Sequence, residues 1–264
     1  MQLLRAAFSP NRTLSARVMF LFAIAWAVSG CLIWIASPFA VLPGPGAVLR
    51  AFGYLWMHQG MSRELWASFS LSVQAVAIAF GCSLLIAYAT VLPIFRPFTA
   101  VVSKLRFLGL IGISFVFMLI VGGGRWLQVS LVAFGITVFL GTSLITIVQS
   151  IPSDRFDYAR TLRMGEWRVV WEVVVRGTRD QALSALRESA AIGWVMITMV
   201  EGIVRSEGGI GVLLLNENKY SHFDRIFAIQ ISIFLVGIAQ DYGLGLLRRW
   251  LCPYADLTTE RRGA

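Results

Sequence analysis

Arg187, Glu188, Glu201 and Arg205 are the residues whose type and spacing could do chemistry in an otherwise apolar setting. Only Ser189 to Val200 separates the two glutamates. That is about 18 Å of helix at ~1.5 Å per residue, against a hydrocarbon core of ~30 Å. Ionisable groups at such depth either face a bundle interior or water-filled path, or reach outward to the headgroups. The sequence leaves both readings open. Gly193 and neighbouring Ser189, Trp194 and Thr198 give this stretch a small and polar surface, so we expect Ser189, Trp194, Thr198 and Glu201 to line a path for a solute. Asp241, near the inner end of a later apolar run, reads as interfacial and close to Arg248 and Arg249. Elsewhere the chemistry thins out. Cys31, Cys82 and Cys252 have no pairing or metal-ligand spacing, and His58 and His222 stand apart. There is no nucleophile–base constellation and no Gly-x-x-x-x-Gly-Lys-Ser/Thr phosphate loop. We therefore expect no metal, no cofactor and no enzymatic activity in this chain itself.

The elements that position these residues follow from composition. The chain has 264 residues, 57% hydrophobic and only 14% charged, whereas soluble domains are nearer a quarter charged. Mean hydropathy is +0.73. We expect an all-α, polytopic membrane protein, a single domain over 1–264, with about six transmembrane helices near 18–36, 68–92, 107–124, 127–150, 183–204 and 226–247. The net charge of +9 has a topological explanation. With both termini cytoplasmic, Arg5, Arg12, Arg17, Arg96, Lys104 and Arg106, the arginine-rich run from Arg155 to Arg187, and Arg248 with Arg249 all fall on the inner side. This is the positive-inside bias, and it implies a lipid bilayer rather than nucleic acid as the partner. Arg12 and Arg17 followed by Val28-Ser29-Gly30-Cys31 resemble a lipoprotein signal, but the apolar run continues through Ile35-Ala36, so an uncleaved first span is expected.

Between the spans, Pro38, Pro43 and Pro45 with Gly44 and Gly46 predict an outside turn, and Val48 to Trp66 a surface helix. Residues 96–106 read as a short inner loop, and Gly122-Gly123-Gly124-Arg125 as a tight outer turn. Gly208-Gly209-Ile210-Gly211 predicts a turn outside the fifth span. The stretch from Ser153 to Arg179 is different: basic, helix-patterned and cytoplasmic. Pro152-Ser153 with Asp154 and Asp157 is a helix start, and Gly165 is expected to end that helix in the left-handed conformation. In a second helix, Trp167, Val170, Trp171 and Val174 share one face, while Arg168, Glu172 and Arg176 form a charge ladder on another. Such a pair of helices either lies on anionic lipid or fills a groove on a soluble partner.

This segment resembles the cytoplasmic loop of binding-protein-dependent ABC transporter permeases, which runs Glu-Ala-Ala-Arg-Thr-Leu-Gly and later Ile-x-Leu-Pro. Here Asp157-Tyr158-Ala159-Arg160-Thr161-Leu162-Arg163 and Val173-Val174-Val175-Arg176 occupy that register. Leu42-Pro43-Gly44-Pro45, Glu201 with Gly208-Gly209-Ile210-Gly211, and the tail from Asp256 to Arg262 are similar to the nitrate/sulfonate/taurine branch. The resemblance implies a type I importer permease, coupled through Asp157, Tyr158, Ala159, Leu162, Gly165, Trp167, Val170 and Trp171 to separate ABC ATPase subunits. It also implies a periplasmic solute-binding protein, a second permease subunit around a shared path, and an inner-membrane location. The substrates it implies are small solutes, among them nitrate, sulfonates and bicarbonate. Asp157, Tyr158, Arg163 and Arg176 depart from the loop pattern, and Gly109 and Ser114 stand where prolines are usual early in the third span. Those loop departures lead us to expect pairing with a second, more typical permease. The alternative class, an ion-gradient-driven transporter or channel, requires intramembrane carboxylates that form an ion site.

Overall fold

The computed structural model describes residues 16–36 and 42–253. Arg5, Arg12, Pro38 and the tail from Asp256 to Arg262 lie outside them. The described residues form helices and turns with no strand. In chain order the helices are α1 (Ala16–Ile35), α2 (Pro45–His58), α3 (Met61–Ala89), α4 (Arg96–Lys104), α5 (Leu110–Val121) and α6 (Arg125–Gln149). Then come α7 (Ser153–Thr161), α8 (Glu166–Val169) continuing as a π-helical stretch Val170–Arg176, α9 (Arg179–Ile203), α10 (Ile210–Lys219) and α11 (Phe223–Leu251).

Helices α1, α3, α6, α9 and α11 are each long and apolar enough to cross a bilayer. The sixth expected span is a bent unit, in which Pro93–Phe107 meets Leu110–Val121 at 115°. With only 12 residues, α5 covers about 18 Å. Two further sequence expectations change. Residues 96–106 are mostly the helix α4 with short 3₁₀ turns on either side, not a loop. The surface helix expected over Val48–Trp66 breaks at Gly60, whose φ of +64° ends α2 and lets α3 begin at Met61.

Packing centres on α6, which lies against α3 most extensively and against α9 next; α2 rests on α11. Leu71, Leu131, Ile136, Leu140 and Ile197 are fully buried where these helices meet. By contrast, α1 buries none of its apolar window, and its Trp34 Nε1–H donates to the Pro43 carbonyl at 3.1 Å.

Candidate functional site

Two regions hold the sequence-predicted residues, one at each end of α9. At the end that precedes Arg179, α7 starts after Pro152 and closes in a Schellman turn. The Arg163 amide donates to the Arg160 carbonyl at 2.9 Å and the Met164 amide to the Ala159 carbonyl at 3.4 Å. The left-handed residue is Arg163, at φ +54°, while Gly165 is extended (φ −63°, ψ 150°) and starts α8. The expectation that Gly165 would make the left-handed turn is thus corrected. The hydrogen bonds of the turn require the residue just after Leu162 to flip, and that residue is Arg163.

The second helix also departs from its expected periodicity. From Val170 to Arg176 the backbone is π-helical, with i→i+5 bonding, so residues five apart line up. Val169 and Val174 are accordingly both buried. Val174 leaves the predicted face, Val170 is half-buried, and Trp167 and Trp171 stay on the surface, Trp167 at 75% exposure. Tyr158, at 68%, and Leu162 are exposed one turn apart on α7. Ala159 is buried, so it packs the segment together and presents no surface. Of the charge ladder, the Glu172–Arg176 rung forms, at 2.9 Å. Arg160 bridges the two helices, pairing with Asp157 at 3.4 Å and with Glu166 at 3.1 Å. A groove of about 420 Å³ between α7 and the π-helical stretch is lined by Tyr158, Leu162, Met164 and Val173, with Asp154, Arg155 and Glu172 among its polar residues.

At the outer end of α9, Glu201 is 1% exposed and both its oxygens are occupied. Ser68 Oγ of α3 donates to Oε1 at 2.5 Å, and the Gly211 amide donates to Oε2 at 2.7 Å. The Gly209 amide donates to Glu64, and the Ile210 amide to Ser68 Oγ at 2.9 Å. Two carboxylates and a hydroxyl therefore satisfy the free amides at the start of α10, where the helix dipole also favours negative charge. The approach is close: a Cβ on Gly209 would sit 2.3 Å from the Glu201 carboxyl carbon, and one on Gly211 would sit 2.4 Å from the Thr198 carbonyl oxygen. The Gly-Gly-Ile-Gly turn is thus the seat of an outer clasp joining α3, α9 and α10.

The expected path residues take up these positions. Glu201 faces the chain's own interior. Ser189 and Trp194 are buried as well; Trp194 Nε1–H donates to Gln240 Oε1 at 3.0 Å, and Ser72 Oγ donates to the same atom at 2.9 Å. Thr198 is half-buried and its hydroxyl returns to the Val195 carbonyl. The open surface of α9 is formed instead by Ile192, Val195 and Met199. Asp241 lines one crevice with Arg248 and Arg249, as expected, and its ion pair is with Arg187, through bonds of 2.5 and 3.0 Å. Arg248 takes Asp180, at 2.6 and 3.1 Å. One cluster went unnoticed in the sequence. Glu217, next to the outer surface, accepts from Gln59 at 2.8 Å and Arg225 at 3.2 Å and shares a 2.6 Å bond with His222. Burial acts to raise its carboxyl, but the bonds from Gln59 and His222 and the charge of Arg225 outweigh it and hold it below its ordinary value.

The described residues thus combine five helices long and apolar enough to cross a membrane, a bent helix pair and a two-helix segment leading directly into α9. The fold is shared with a chain of the MetNI methionine ABC transporter, solved in inward-facing conformations: TM-score 0.59, 16% identity, covering 73% of this chain and 96% of that one. No protein-family model matches the chain. Among curated proteins, it is 25% identical to the taurine transport system permease protein TauC of Escherichia coli, over 95% of this chain and 92% of that protein. It is 26% identical to the bicarbonate transport system permease protein CmpB of Synechococcus elongatus, over 52% of this chain and 54% of that one. It is also 27% identical to an ABC transporter permease protein of Methanocaldococcus jannaschii, over 45% of this chain and 49% of that one. The chain thus spans about half the length of the last two relatives.

Proposed function

We propose that this chain is the membrane-spanning subunit of an ATP-driven importer in a bacterial inner membrane. It takes a small anionic or organic solute from a periplasmic binding protein and is driven by an ATPase pair seated on residues 153–179. The observation that carries this reading is the exposure of Tyr158, Leu162, Trp167 and Trp171 on one two-helix segment, the first two lining a groove, with the segment joined to α9 by a short turn after Arg176. Aromatic side chains left in water at cytoplasmic helices form the kind of anchors that a soluble partner buries. Arg205 and Lys219 outnumber Glu217 in the lining of a pocket of about 530 Å³ that also holds Gln59 and Asn216, and this net positive charge is compatible with an anion. The taurine and bicarbonate relatives support the same substrate class.

Changing both Trp167 and Trp171 to Ala tests the docking. Loss of ATPase from affinity-purified complexes, with the chain still inserted, is the expected outcome; unchanged ATPase recovery would refute docking through these side chains. Because Asp157, Tyr158, Arg163 and Arg176 depart from the loop pattern, we further propose a heterodimer in which a second permease carries the more typical loop. A purified, transport-competent complex holding only this chain and ATPase in equal numbers would refute that arrangement.

A further inference from the structure

Two crevices on the α9–α11 face adjoin at the Arg187–Asp241 pair, which lines both, so together they make a groove with an arginine-rich end and a mainly apolar end. The inner part, about 160 Å³, carries Arg187, Arg248 and Arg249 together with Tyr242. The longer part, about 390 Å³, runs along the two helices past Ala190, Trp194, Ile233, Phe234 and Gly237. Ala190 and Gly237 keep it open, because larger side chains at these positions would fill the space between the helices. Asp241 and Asp180 neutralise Arg187 and Arg248 through bidentate pairs, and Arg249 leaves the lining with a surplus of positive charge. The arginine-rich end is the one that the positive-inside bias directs to the cytoplasm.

An occupant complementary to this groove is anionic at one end, apolar along the rest, and resident in the bilayer. We propose that the groove binds a phospholipid with an anionic headgroup, its phosphate at Arg248 and Arg249 and one acyl chain between α9 and α11. Basic pockets between transmembrane helices on the cytoplasmic side hold such headgroups. A free inorganic anion would leave the apolar length empty, and a zwitterionic lipid would leave the surplus charge unanswered.

The test is native mass spectrometry of the full-chain complex, titrated with phosphatidylglycerol or phosphatidylcholine of identical acyl chains. Wild type is expected to retain phosphatidylglycerol preferentially. Arg249→Gln should weaken that retention about five-fold, the equivalent of ~1 kcal/mol for one basic residue near an anionic lipid. Gly237→Leu should abolish it with every arginine in place. The nearest atoms a Cβ there would meet belong to the Trp194 ring, at 3.7–4.0 Å, so the substitution begins without a backbone clash and its side chain fills the groove; an unchanged unfolding temperature checks that the helix pair is intact. Equal retention of the two lipids by wild type, or wild-type retention by both variants, would overturn the proposal. So would a disulfide between Gly237→Cys and Val28→Cys of another copy forming in phosphatidylglycerol nanodiscs, because α1 of that copy would then occupy the groove.

Discussion

The cytoplasmic segment and the outer clasp treat their side chains in opposite ways. At the clasp, the polar groups of Glu201, Ser68 and Glu64 are consumed by backbone amides of the same chain, and Glu201 is shut away from solvent. In residues 153–177, ion pairs such as Arg160–Glu166 lie on the surface and Tyr158, Trp167 and Trp171 stay in water. The clasp is complete within one chain. The cytoplasmic segment is held together by a turn, one buried line through Val169 and Val174, and exposed salt bridges that contribute little. Stability is concentrated at one end of α9 and available surface at the other.

Four measurements bear on this contrast, the strongest expected change first. The Trp167→Ala, Trp171→Ala double variant should cost about 4 kcal/mol of ATPase binding if each is an anchor, roughly a thousand-fold in affinity. Its unfolding temperature should hardly move, since both side chains are exposed; scanning fluorimetry beside a binding titration separates the two. Glu201→Ala should do the reverse. It leaves the Gly211 amide and Ser68 hydroxyl without their buried acceptor, at about 1–3 kcal/mol, and lowers thermal stability before touching ATPase association. Equal melting of wild type and this variant would show that the clasp bears no load.

Arg163→Gly should stabilise the segment by about 1 kcal/mol, because glycine adopts the left-handed conformation without the Cβ penalty. Slower proteolysis at this turn would register the gain. The smallest effect is the pH response of Glu217. Its folded pKa lies below the ordinary value of 4.5, so its contribution is complete above that value and is lost as pH falls through the depressed one. Acid melting curves of Glu217→Gln should lack that loss, and a destabilisation appearing only on the alkaline side would contradict the sign.

Much of the architecture was legible because bilayer spans announce themselves by long apolar runs. Five of the expected spans are single long helices, and the Gly122–Gly124 turn falls where anticipated. What escaped had physical reasons. Gly60 gives no hint in composition that it alone, rather than a gradual change near Trp66, divides α2 from α3. The π-helical stretch defeats a 3.6-residue reading, which assigned Val174 to the wrong side. The clasp joins Ser68 to Glu201, and Gln59 joins Glu217, across more than a hundred residues, so periodicity has no access to either. Glu201 was marked as chemically unusual, but which way it faced depended on α10 folding back over it. The resemblance in the loop supplied the register, and the structure showed Arg163 itself doing what a glycine does in the family pattern.

Helix α9 is pinned to α11 at its inner end by the Arg187–Asp241 and Asp180–Arg248 pairs and to α3 and α10 at its outer end. Mechanically it is a stiff rod of about 37 Å, and a tilt of ~10° imposed at the coupling segment would swing its far end by roughly 6 Å. A push received in the cytoplasm would then arrive on the opposite face undiminished, carried by geometry alone. Spin labels at Arg179 and Ile203, the two ends of α9, would keep a constant separation throughout the cycle if the rod stays straight, and a shortening distance would reveal a bend.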